Sequence, residues 1–371
     1  MNVSLNMPSL LSSLLLLALA ACSGSETHSR AQDRPAQGKD DARQTAPRSV
    51  PNRPDSYLTF AFYNLENLFD TEDDPFNSGD DEFTPGGANQ FTEERLERKM
   101  ANIARAIRAM NEYRGPDLLG VCEVENRRVL EILTQEYLPN GVYSIVHAES
   151  PDNRGIDVAM LYRAAELTHL RTTMHRVDLG TGRPTRDIME ATFQRQGKTF
   201  TVLVNHWPSR LGGEEESEPR RVAAAQTAVR IIDSLRAIDP NADVVMMGDF
   251  NDEPHNRAIH DVLDARAYSG TGAFDHRMVN TAAPVEEEGR IGSYFYKKDW
   301  ELIDQIMVSP GVLDDKGLVL YETAETVFTP DFLRDRRADR DARPPFRTYK
   351  GKLFLGGTSD HFPVVLRVGW K

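Results

Sequence analysis

Apolar positions along this chain recur with two periods. From Glu93 to Met110, Leu96, Met100, Ile103, Ile107 and Met110 fall three or four residues apart, the spacing of one helix face. Arg114-Gly115-Pro116 then ends the helix, because Pro biases its predecessor away from helical dihedrals. A second helix is predicted from Arg127 to Leu138. A third starts near Ser217 as N-cap, carries Pro219 in its first turn and runs to about Ala237, and a short one spans Asn256 to Leu263. Between them lie short apolar, β-prone runs at 117–124, 143–147, 156–162, 188–193, 199–205, 243–247, 302–308 and 364–368. Gln196-Gly197 joins two of these runs as a hairpin. Strands outnumber helices and several neighbours read as hairpins, which predicts antiparallel or mixed sheets covered by helices.

The first 56 residues break this pattern. Leu10 to Ala21 is apolar apart from Ser12 and Ser13, and ends in Leu19-Ala20-Ala21-Cys22. The run is too short to span a bilayer, and residues 1–21 read as a signal peptide. The small residues before Cys22 are similar to a bacterial lipobox. Cys22 is then the expected lipidation site, and a membrane is an expected partner through that anchor. The expected location is extracytoplasmic, on a bacterial membrane, periplasmic or at the cell surface. The alternative is an ordinary secretory signal cut near Ala21; no Lys or Arg precedes the apolar run. Residues 22–56 hold almost no large apolar side chain and cannot bury enough surface to offset their ordering entropy. They are expected to be a disordered tether to one folded body, residues 57–371.

The net charge is −13, and the tether's 6 basic and 5 acidic residues leave the body at −14. A generic nucleic-acid binder has a basic footprint. Here only 334–347 is locally basic, and Asp335, Asp339 and Asp341 interleave with it as in a solvated loop. Acidic residues gathered in a metal site would add to such a charge. Apart from Cys22 the one cysteine is Cys122, which lies in an apolar run and reads as a buried, inert thiol.

Six apolar runs end in, or contain, chemistry. Asn64 and Glu66 follow Phe60 to Tyr63, Glu123 follows Leu118 to Cys122, and His206 follows Val202 to Asn205. Asp249 and Asn251 close the run from Val244, Asp304 sits within 302–308, and Asp360-His361 precedes Val364. Strand ends that converge on one sheet edge can build a site for a hard metal and a phosphate. Mg²⁺ prefers oxygen donors, and a His near neutral pKa can move a proton. Each residue alone has a plainer reading: Asn64 and Asn251 as turn amides, Asp249 as a cap, His206 as a loop residue, His361 as a satisfied histidine. Arg154 and Arg210 lie in Gly- or Pro-containing loops and suit phosphate contacts; the alternative is loop-pinning ion pairs with Asp157 or Glu214. Trp207 and Tyr294 read equally as stacking surfaces or as core. No His pair on one helix and no set of Cys ligands is present, which disfavours zinc.

These segments, in this order, resemble the endonuclease/exonuclease/phosphatase family over nearly all of residues 57–371. Tyr63 to Asp70, Arg154 to Asp157 and Asn205 to Arg210 are similar to its bacterial secreted or lipoprotein branch. The resemblance implies an α+β fold, a four-layer α/β/β/α sandwich of two mixed β-sheets flanked by helices, with the active site at one edge. It implies Glu123 as main metal ligand, supported by Asn64 and Glu66, with Asp360 also facing the metal. Asp249 and Asn251 would hold the attacking water or the phosphate. His361 would be the base or the phosphate-polarising group, with Asp304 behind it, and His206 would contact the scissile phosphate from the other side.

The implied cofactor is Mg²⁺, with Mn²⁺ or Ca²⁺ as alternatives. The expected function is a metal-dependent phosphodiester hydrolase, an extracytoplasmic nuclease with nucleic acid as substrate. The alternative on the same fold is a phospholipid, sphingolipid or inositol-phosphate hydrolase. It asks for an exposed apolar loop, and Val327 to Leu333 is the candidate. A non-catalytic surface binding protein is the alternative of another class, and no protein partner is evident.

Overall fold

The structure is a computed structural model that describes residues 56–75, 77–270, 273–338 and 342–371. The expected signal peptide, the Cys22 lipidation site and the tether as far as Asp55 lie outside the described residues.

The first half of the chain gives β1 (Ser56–Leu68), α1 (Glu93–Tyr113), β2 (Leu118–Val124), α2 (Arg127–Ile132), β3 (Tyr143–His147), β4 (Asp157–Arg163) and β5 (Thr168–His175). Then come β6 (Ile188–Arg195), β7 (Lys198–His206), α3 (Glu214–Ile238), β8 (Val244–Asp249), β9 (Ala265–Arg266), β10 (Met278–Asn280) and α4 (Ala283–Glu288). The rest is β11 (Tyr294–Tyr296), β12 (Asp299–Glu301), β13 (Asp304–Val308), β14 (Leu318–Val319), β15 (Thr326–Val327), β16 (Tyr349–Lys350), β17 (Leu353–Phe354) and β18 (Val364–Trp370).

Two mixed sheets face each other. One has the order β14-β18-β1-β2-β4-β3, with β15 on β18; the other runs β5-β6-β7-β8-β13-β10-β9. Phe60 of β1 meets Phe200 of β7 edge to face at 5.8 Å between ring centroids. Gly120 of β2 comes so close to β8 that a Cβ there would sit 2.7 Å from Met247 Sδ. The central strands β1, β2 and β8 are buried on both faces and accordingly read as continuous apolar runs.

On the outside of the first sheet, α1 buries Leu96, Met100, Ile103 and Ile107. On the second, Ala224, Ala228, Ile231 and Ile232 of α3 pack with Leu203, Met246 and Met307. This is the expected α+β sandwich of mixed sheets flanked by helices.

Several elements differ from expectation. α3 begins at Glu214 rather than after Ser217, because Glu214, Glu215 and Glu216 extend it by one turn, where acidic groups favour the helix dipole. Ser217 lies inside the helix, and its hydroxyl donates to Gly213 O at 2.6 Å. The expected second helix widens into a π-helical turn over Leu133–Tyr137, and the short one becomes such a turn over Ala258–Val262.

The topology explains the site. β1 pairs with β2, and β7 with β8, in parallel, so four C-terminal strand ends meet at one edge. Antiparallel β13 sets Asp304 directly opposite Asp249. Antiparallel β18 pairs Val364 with Phe62, which brings the preceding His361 to the same edge.

Candidate active site and metal centre

Left-handed backbone concentrates at this edge. Glu66, Asn67, Glu123 and Asn251 have φ of 49°, 55°, 57° and 50°, and the β1–β2 and β2–β4 registers shift beside Glu66 and Glu123. A bulge re-aims side chains at the end of a strand, and non-Gly residues held this way cost of order 1–3 kcal/mol each. Three of these four are residues expected at the site.

Asp249 is the hub. Its Oδ2 accepts Asn64 Nδ2 at 3.0 Å, and its Oδ1 accepts the Asn251 backbone N–H at 3.0 Å. His206 Nε2 lies 3.7 Å and His361 Nε2 3.9 Å from Asp249 Oδ2. Burial, reinforced by Asp304, pushes the Asp249 carboxyl up to about 7.

His361 Nδ1 faces Asp304 Oδ2 at 2.6 Å, and Asp304 is fully buried. Burial alone would pull the imidazole down, but the carboxylates of Asp304, Asp249 and Asp360 outweigh it and hold His361 well above its ordinary value. For His206, burial and then the nearby Arg186 and Arg154 act together and hold it well below.

Glu123 Oε2 accepts the Asn67 N–H at 2.9 Å. Its Oε1 has long contacts, 3.5 Å to Arg154 and 3.9 Å to His206. Arg154 also donates to Asn67 Oδ1 at 2.6 Å and is half exposed. Glu66 is turned elsewhere: its oxygens accept the backbone N–H groups of Thr348 at 2.6 Å and Tyr349 at 3.3 Å. Burial and Asp360 push its carboxyl up to about 7. Asp360 Oδ2 accepts Arg347 at 2.7 Å, and its Oδ1 is 3.9 Å from His361 Nε2.

Arg210 is occupied away from this cluster. It donates to Asn251 O at 2.8 Å and Asn256 Oδ1 at 3.0 Å, and pairs with Glu214, Glu253 and Glu301. Asn251 Nδ2 donates to Trp207 O at 3.1 Å. The Trp207 ring is core, edge to face with Phe250. Tyr294 is at the site, its ring 4.7 Å from that of His361. Tyr296 stacks on Tyr294 at 6.3 Å and 19°, and Lys297 Nζ lies 5.1 Å over Tyr296. In the apolar 327–333 segment, Val327 and Leu333 are buried and Phe328 and Phe332 pack against the core.

The acid and histidine groups gathered here suit a divalent cation. Cys122, His206 and Asp249 bring ligand atoms within 4.8 Å of one another, as do Asp249, Asp304 and His361. Asp304 Oδ1 and His206 Nδ1 are buried with no hydrogen-bond partner among the described residues. Carboxylates outnumber cations here, and hydrogen-bonded amides fix them in place.

Three residues with a part in this edge had no assigned role in the sequence. Lys99, on the buried face of α1, donates to Glu66 O at 2.8 Å, Thr348 Oγ1 at 2.6 Å and Thr358 O at 3.3 Å. Burial lowers its ammonium to about 8 against the pull of Glu66, Asp360 and Glu123. A Lys beside Leu96, Met100 and Ile103 was the signal. Arg347 belongs to a stretch that reads as solvated. Ser359 donates to Asn64 O at 2.6 Å and accepts the His361 N–H, tying β1 to the His361 loop.

A family model described as the endonuclease/exonuclease/phosphatase family matches residues 59–369. The chain belongs to that family. Its fold is shared with truncated TDP2 of Caenorhabditis elegans, 14% identical with a TM-score of 0.51 over 84% of this chain and 97% of that one. The human Nocturnin catalytic domain is 15% identical with a TM-score of 0.50 over 85% and 95%. An endonuclease/exonuclease/phosphatase family protein of Bacteroides thetaiotaomicron is 18% identical with a TM-score of 0.51 over 86% and 96%. At these identities the likeness is one of fold. No curated protein matches the chain. Family membership and the acid–histidine clusters make it a metal-dependent hydrolase of this family's general type.

The expected extracytoplasmic, lipid-anchored location is corrected by these findings. The fold neighbours include TDP2 and Nocturnin, and neither fold nor family marks a secreted or lipoprotein branch. Among the described residues no helix is long and apolar enough to cross a membrane.

Proposed function

We propose that the protein is a Mg²⁺-dependent phosphodiesterase acting on nucleic acid. The observation behind this reading is the pairing of a carboxyl and an imidazole that both hold their protons more tightly than usual, Asp249 and His361, 3.9 Å apart beside Glu123 and Arg154. His361 stays protonated through neutral pH and donates from Nε2 to a phosphoryl oxygen, while Asp304 keeps Nδ1–H oriented. Asp249, fixed by Asn64 and Asn251, takes the proton of the attacking water. His206 stays neutral and contacts the phosphate from the Glu123 side. Arg154 binds a non-bridging oxygen, and Arg210 holds the Asn251 loop. Glu123 would be the main metal ligand, with Asn64 and Asp360 as further ligands, and Glu66 would support through the Thr348 loop. A bound Mg²⁺ would offset phosphoryl and leaving-group charge and needs only one or two carboxylates besides water.

The ladder His361, Tyr294, Tyr296 and Lys297 supports nucleic acid as substrate. It offers an aromatic face, with Tyr296 half exposed, and a lysine beside it, the elements of sequence-tolerant stacking on a strand. The body's charge of −14 favours the second reading, a lipid or inositol-phosphate hydrolase, but the apolar segment it asked for is core.

The test is nicking of supercoiled plasmid with Mg²⁺, with EDTA and His361→Ala as controls. Nicking lost in both controls is expected. Hydrolysis of a generic phosphodiester without nicking would overturn the nuclease assignment and keep the chemistry. No metal-dependent turnover of either would favour a binding protein.

A further inference from the structure

The segment between β1 and α1 carries Asp73, Asp80 and Asp81, whose carboxylates bring one oxygen each within 4.8 Å of one another. Two oxygens bound to one Ca²⁺ at about 2.4 Å lie no more than about 4.8 Å apart, so the three fit a single ion. Asp80 is 1% exposed. One of its oxygens accepts the Asp74 N–H at 2.7 Å. The other, Oδ1, is buried with no hydrogen-bond partner among the described residues. No Lys or Arg among them pairs with Asp73, Asp80 or Asp81. A buried carboxylate left unpaired costs free energy, and one beside two further carboxylates costs more.

We propose that Asp73, Asp80 and Asp81 form a second cation site, for Ca²⁺, separate from the Glu123 centre. Ca²⁺ accepts irregular shells of six to eight oxygens completed by carbonyls and water, whereas Mg²⁺ demands a near-ideal octahedron. Two exposed carboxylates and one buried one on a loop suit the former.

The site has a target. Gly79, next to Asp80, is packed so tightly on the Arg154 backbone that a Cβ there would overlap it, and a Cβ at Gly155 would overlap the Asn77 side chain. Asn77 Oδ1 accepts the Gly79 N–H at 2.9 Å. An ion that fixes the Asp80 loop therefore fixes the loop that holds Arg154 3.5 Å from Glu123.

The experiment titrates Ca²⁺ into metal-stripped full-length chain with saturating Mg²⁺ present, followed by calorimetry and by the melting temperature. One Ca²⁺ per chain and a rise in Tm are expected in the parent and in Glu123→Gln, which alters only the other centre. Both signals are expected to vanish in the surface double variant Asp73→Asn/Asp81→Asn. Asp80→Asn is expected to melt higher than the parent in EDTA and to ignore Ca²⁺. No Ca²⁺ binding in the parent, or binding kept unchanged by the double variant, would overturn the site. Both readouts are independent of turnover and hold whatever the substrate is.

Discussion

The 2.6 Å contact between Asp304 Oδ2 and His361 Nδ1 fixes which imidazole nitrogen faces outward. Asp304→Asn preserves volume and removes the charge. It is expected to lower kcat by about 10²- to 10⁴-fold, the range for a misplaced proton donor. It should also bring the His361 titration, followed by NMR, back toward its ordinary value; an unmoved titration would defeat the argument. The two candidate arginines separate by a different readout. Arg154→Ala, at a half-exposed side chain, should raise KM about tenfold or more with Tm unchanged. Arg210→Ala frees Glu214, Glu253 and Glu301 and should lower Tm as well as kcat. Equal thermal effects would refute that division.

At the scale of elements, Lys99 is a buried cation that joins α1, the end of β1 and the 348 and 358 loops. Lys99→Met keeps the length and loses three hydrogen bonds, and should cost about 3 kcal/mol in a urea unfolding experiment. The β11–β12 hairpin carries the stacking ladder. Tyr296→Ala should raise KM for single-stranded nucleic acid about tenfold, at about 1–3 kcal/mol per stacked base, and leave small aliphatic phosphodiesters unaffected.

The same scale explains what the sequence revealed. β1, β2, β7 and β8 were legible because buried central strands are apolar throughout, and their polar ends stood out against that background. β5 was not, since an edge strand with residues such as Thr168, Leu170 and Arg171 exposed carries no alternation. β9 to β12 and β14 to β17 are two or three residues long, too short for any period. The site's side chains were legible by type, but not their aim. Glu66 and Arg210 turn away because backbone N–H groups and acidic loops claim them, and such partners come from residues far along the chain.

For the molecule as a whole, the edge is an excess of acid that folding has gathered. Glu66 and Asp249 are each raised to about 7, and His361 is raised too. A raised folded-state value means stability that is fully present below the unfolded value and lost as pH rises through the folded one. The metal-free protein should therefore lose stability from about pH 4 to pH 7 through the two carboxyls, with His361 acting in the same direction above that. In EDTA, the Tm of Asp249→Asn minus that of the parent should grow between pH 5 and pH 8, and added divalent ion should shrink it. A difference that stays flat across this range would contradict the origin assigned to it.

The place of β18 between β14 and β1 also sets a schedule. Among the described residues it follows every other strand along the chain, yet it occupies the interior of its sheet. Until it arrives, β1 keeps an open edge able to capture a foreign strand. His361 and Asp360 arrive with it, so a nascent chain holds most of the hydrolytic groups without being able to use them. Completion of the sheet and the onset of activity are a single event.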